Sequence, residues 1–123
     1  MLTEFTKKRQ QAAINYNERL ASLNWLQTPR ETKFSSHVYH QYSILLSKKV
    51  NRNKFQKHLF SQGIPTMIYY PIPLHRQKAY QSYSKHSLPI SEMISKHIIS
   101  LPMHPELDLS QINFICDVIK KYI

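Results

Sequence analysis

Apolar residues recur at helical spacing from the start of the chain. Phe5, Ala12, Ala13, Tyr16, Leu20 and Leu23 fall near one face of residues 3–24, with Lys, Arg, Gln and Asn around them. This pattern predicts a long helix with one broad apolar face, which must pack on something. The polar stretch QTPRETKFSS, with Pro29, reads as a connector. HVYHQYSILL (37–46) then alternates, with Val38, His40, Tyr42, Ile44 and Leu46 on one side. Its aromatic and β-branched content predicts a strand.

Asn51 is placed to cap a short helix whose inner side carries Phe55, His58 and Leu59, and Gly63 suits a left-handed helix end. Ile64 to Tyr69 reads as a second strand, stopped by Pro71 and Pro73. Residues 71–89 read as loop, with a helical turn around Gln77 to Tyr83. SEMISKH forms a short helix, IISLP a third strand, and DLSQINFICDVIKKYI a terminal helix striped by Ile112, Ile115, Ile119 and Tyr122. The fold class expected is α+β: a long N-terminal helix and a small, three-stranded, largely antiparallel sheet with helices packed on one side.

The chain's 123 residues suffice for one domain with one core. The formal charge is +10, and residues 1–60 carry 11 basic against 3 acidic side chains. Such a field attracts nucleic acid, anionic lipid, phosphorylated metabolites or an acidic protein surface without choosing among them. A basic nucleic-acid-binding or protein-interaction module is therefore the alternative reading, although no RNA-recognition or zinc-finger signature accompanies the charge. The single cysteine, Cys116, sits on a helix stripe as a small hydrophobe and excludes an internal disulfide. Neither a leader-like apolar run nor a stretch near the roughly 18 apolar residues of a membrane span is present, so a cytoplasmic setting is expected.

Seven histidines invite a metal site, but their spacing opposes one, and none is assigned. No nucleophile elbow or glycine-rich phosphate loop exists either. GIPTMIYYPIPLH is more informative: it holds the only glycine and three of the seven prolines. Proline-fixed backbone can hold Tyr69, Tyr70 and His75 rigidly toward a ligand, or the aromatics can pack the loop onto the sheet.

GIPTMIYYPIPLHRQKAY, followed by LPISEMISKHIISLPMHPEL, resembles the C-terminal small domain of the DegT/DnrJ/EryC1/StrS family. These are pyridoxal-phosphate-dependent, fold type I aminotransferases acting mostly on nucleotide-linked keto-sugars. Lys7, Arg9 and Tyr16 resemble the family's helix leading into that domain. The resemblance implies residues 1–27 as linker helix and 28–123 as small domain, with the large cofactor-binding domain absent. It nominates Tyr69, Tyr70, His75 and Gln77 for substrate contact or loop positioning, and Tyr39 and His40 for the strand nearest the interdomain cleft. Pro102, Met103 and His104 are expected to be architectural.

No catalytic or cofactor-binding residue is expected here, because the family's lysine and phosphate-holding groups belong to the large domain. Pyridoxal phosphate would belong to the complete enzyme, as would the nucleotide-sugar substrate. A separately encoded large domain, or self-association, is the expected partner. That interface would bury the apolar face of the first helix and the exposed side of the sheet.

Overall fold

The computed structural model describes residues 1–123. Helix α1 (Leu2–Leu20) leads through a turn into a two-residue strand, β1 (Leu26–Gln27), and then to β2 (Tyr42–Leu46) and α2 (Arg52–Ser61). Two short 3-10 turns, Leu74–Arg76 and Lys78–Tyr83, occupy the loop. Helix α3 (Pro89–His97) runs directly into β3 (Ile98–Leu101), and α4 (Leu109–Lys120) closes the chain. The sheet order is β1-β2-β3, antiparallel throughout, with Ile44 opposite Ile99 and Leu26 opposite Leu46. The α+β architecture with a long first helix, a three-stranded antiparallel sheet and helices packed against it is therefore present.

Two of the three strands differ from expectation. Residues 37–41 are not strand. Arg9 Nε donates to the Val38 carbonyl at 2.9 Å and Gln10 Nε2 to the His37 carbonyl at 3.0 Å, so α1 takes acceptors a neighbouring strand would need. Tyr39 then adopts φ +46°, which ends the extended run before Tyr42. Residues 64–69 make one bridge only, Met67 pairing with Ser100 in both directions at 3.1 and 2.7 Å. Pro65, without an N–H, stops the ladder on its side of that bridge. The third strand is instead Leu26–Gln27, where a helix tail and connector were expected.

The alternation within β2 puts Tyr42, Ile44 and Leu46 in the core with Ile99 and Leu101. Tyr16 of α1 stacks on Tyr42 with ring centroids 4.6 Å apart, and its hydroxyl donates to the Pro102 carbonyl at 3.0 Å. Phe55 of α2 meets Trp25 and Tyr122 edge-on. Helix α4 presents Ile112, Ile115, Cys116 and Ile119 to the same core. Full burial of side chains this size is worth about 1.5–3 kcal/mol each before entropy is counted. The apolar face of α1 (Ala12, Ala13, Tyr16 and Leu20) is consumed inside the chain. This corrects the expectation that it would need a partner.

Local signals fix the helix ends. The Asn51 side chain accepts from the Lys54 N–H at 3.0 Å, and Asp108 with Gln111 forms a reciprocal capping box. Gly63 takes φ +76° after α2, the left-handed conformation a side chain disfavours. Pro89 opens α3. No helix is long and apolar enough to cross a membrane.

Candidate functional site

Proline sets the geometry of the candidate region. Pro102 ends β3, and the Tyr16 hydroxyl fixes its carbonyl to α1, so Met103 and His104 are delivered beside the start of β2. The Met67–Ser100 bridge brings the 64–72 segment to the same place. Between these three segments lies a cleft of about 300 Å³ lined by His40, Gln41, Thr66, Tyr69, Met103 and His104, among others. His40 and His104 are exposed imidazoles, and Tyr69 is half-buried. The Thr66 hydroxyl is buried without a hydrogen-bond partner. Such a lining offers imidazole, phenol and amide groups to an uncharged polyhydroxyl ligand, but no carboxylate and no lysine.

The loop beyond is held by one carboxylate. Glu92 Oε1, on α3, lies 3.0 Å from His75 Nε2 and 3.0 Å from Arg76 Nη2, and accepts from the Leu88 N–H at 3.3 Å. Hydrogen bonding from His75 first, then from Arg76 and Leu88, holds the Glu92 carboxyl down at about 2. Arg76 also donates to the Ser84 carbonyl at 2.8 Å, linking the ends of the two 3-10 turns. His75 is buried, and its Glu92 contact makes it a loop anchor.

The six nominated residues therefore separate. His40 and Tyr69 share the cleft. Tyr70 and Gln77 line a second, more apolar groove of about 560 Å³ with Ile72, Leu74 and Ile94. The Tyr69–Tyr70 peptide is cis. His75 lines a third cavity of about 430 Å³ beside Tyr80 and Tyr83. Tyr39 is in the core, its ring stacked on His37 at 4.1 Å.

Sequence reasoning missed Glu92 as the loop's organiser and His104 as a cleft residue. The Glu92 link joins positions 17 residues apart, and no periodic pattern reports it. His104 was readable only as part of a turn. Cys116 is buried, and burial pushes its thiol up to about 11. The histidines do not gather with acidic or thiol groups into any cluster of three or more.

Residues 1–120 match the profile of the DegT/DnrJ/EryC1/StrS aminotransferase family. A pleiotropic regulatory protein from Geobacillus stearothermophilus is 37% identical over 125 residues, covering 98% of this chain and 33% of that protein. A UDP-N-acetyl-3-dehydro-alpha-D-glucosamine 3-aminotransferase from Acidithiobacillus ferrooxidans is 37% identical over 120 residues, covering 98% and 31%. Among solved structures, a DegT DnrJ EryC1 StrS aminotransferase from Brucella abortus superposes with a TM-score of 0.85 at 36% identity, covering 96% of this chain and 31% of that one. The chain spans about a third of the length of the curated relatives it matches.

Proposed function

Because the chain belongs to the DegT/DnrJ/EryC1/StrS aminotransferase family, we propose that it is the C-terminal small-domain portion of a pyridoxal-phosphate-dependent aminotransferase for nucleotide-linked keto-sugars. In this reading residues 1–27 form the connecting segment and 28–123 the small domain. The single observation that carries the reading is the alignment of nearly the whole chain onto about a third of sugar aminotransferases.

The residues present do not fit the cofactor. Covalent capture of pyridoxal phosphate requires a lysine in the site, with a carboxylate facing the ring nitrogen. All twelve lysines are solvent-exposed, and none lines the His40 cleft, the Tyr70 groove or the cavity beside His75. Glu92, the carboxylate nearest the loop, is already engaged by His75, Arg76 and Leu88. The chain therefore supplies a wall and not the chemistry. His40 and Tyr69 hydrogen-bond the sugar. Tyr70 and Gln77 line the neighbouring groove, and His75 keeps the loop in position.

In this reading the catalytic groups come from a large domain that packs against this one. Leu2, Phe34, Tyr70, Ile72 and Leu74 are exposed apolar groups available to it. A chimera tests the reading, with residues 1–120 replacing the matching third of the Acidithiobacillus enzyme. The chimera is expected to turn over a nucleotide keto-sugar, and Tyr69→Phe with His40→Ala to lower that turnover about tenfold or more. A folded, cofactor-loaded chimera without turnover overturns it, as does transamination by the 123-residue chain alone.

A further inference from the structure

At the opposite end of β2 from the His40 cleft, the chain builds a second pocket of different chemistry. Its volume is about 480 Å³, and it is lined by Lys48, Lys49, Arg52, Asn53, Lys96 and His97, among others. The loop after β2 supplies the first two lysines, the first residue of α2 the arginine, and the end of α3 the last pair. At roughly 3.3 Å per residue, the five-residue strand sets about 15 Å between this pocket and the cleft.

No carboxylate lines the pocket, and none of its four permanent cations takes part in an ion pair. All seven acidic residues lie elsewhere, and the nearest in sequence to Lys96, Glu92, is held by His75 and Arg76. Arg52 is the informative member. The residue is partly buried, donates through Nη1 to the Ser95 carbonyl, and leaves Nε buried with no partner. Burial without a counter-ion pulls it below its ordinary value. Lys48, Lys49 and Lys96 are exposed and so repel each other only through solvent, while the partly buried Arg52 charge has no counter-ion. Both costs are relieved by one compact anion.

We infer that this pocket is a binding site for a compact phosphate-bearing ligand, seated between Lys48, Lys49, Lys96 and the Arg52 guanidinium. The concave shape favours a terminal phosphate or a diphosphate over an extended polyanion. The size lies within the roughly 300–1,000 Å³ of small-molecule clefts. The three lysine ammoniums, with the Arg52 guanidinium held in place by the Ser95 carbonyl, match phosphate oxygens in charge.

The test titrates the 123-residue chain with inorganic pyrophosphate at low salt, following backbone amide shifts. Saturable shifts centred on residues 48–53 and 96–98 are expected. A Lys48→Ala/Lys96→Ala double variant should weaken binding about tenfold or more. Arg52→Lys, which keeps the charge and loses the fork, should weaken it less. Lys7→Ala/Lys8→Ala, on exposed α1 positions outside the pocket, should leave it unchanged. Absence of saturation overturns the inference, as do equal losses from the α1 control variant. A single-stranded RNA that binds more tightly than pyrophosphate through the same residues overturns the assignment to a compact ligand. None of these readings depends on transaminase activity, so this site and the proposed family role fail separately.

Discussion

His75 Nε2 lies 3.0 Å from Glu92 Oε1, and this contact joins the proline-rich loop to α3. The same oxygen receives Arg76 and the Leu88 N–H. The loop's own backbone hydrogen bonds are local 3-10 turns, and this one acidic side chain ties it to α3.

Acid should loosen the loop through Glu92. Its carboxyl is held down at about 2 from an ordinary 4.5 by His75, Arg76 and Leu88. A depressed carboxyl contributes stability that is fully present above 4.5 and is lost as pH falls through about 2. Urea midpoints measured at pH 6 and pH 2.5 should fall more for the native chain than for Glu92→Gln. Equal falls would show that the contact does not persist in solution.

The buried thiol behaves in the opposite sense. Burial raises Cys116 from 9.0 to about 11, so the fold favours the neutral form. The associated stability is present below pH 9 and is lost as pH rises through about 11. At pH 8.5 the folded chain should react with a thiol reagent at least about 100-fold more slowly than the chain in urea, from reduced thiolate and reduced access together. Comparable rates in both conditions would place Cys116 at the surface.

Phe55 should be among the costliest core positions to truncate. It is fully buried between Trp25 and Tyr122. Phe55→Ala should cost about 3–5 kcal/mol in chemical denaturation, while a volume-conserving Phe55→Leu should cost clearly less. A loss below about 1 kcal/mol for the alanine variant would contradict this packing.

The start of α4 offers a smaller, separable effect. Asp108→Ala removes the side chain that accepts from the Gln111 N–H at 2.8 Å. It should cost about 0.5–2 kcal/mol, whereas Asp108→Ser should recover most of that. No measurable loss from the alanine variant would mean that the cap contributes nothing.

Helices were legible wherever local chemistry fixed them. The Ile112, Ile115 and Ile119 stripe and the Asn51 cap each depend on residues within one or two turns. Strands were legible only in part, because their partners are remote. The pattern through Val38 and His40 continues that of Tyr42 and Ile44, yet Arg9 and Gln10, nearly thirty residues earlier, take the carbonyls at 37 and 38. Leu26–Gln27 is too short for any alternation to register. The candidate residues illustrate the same limit: composition singled out Tyr69, Tyr70 and His75, but only the long-range pairs Met67–Ser100 and His75–Glu92 decide which cavity each one meets.

The small sheet has almost no open flank. One outer strand is two residues long, and the other is met at Ser100 by the single bridge from Met67. A neighbouring molecule finds no long row of free amides and carbonyls on which to extend a ribbon. Copies that meet must do so through side chains such as Phe34 and Ile72, contacts that fall apart on dilution more readily than a growing stack of backbones.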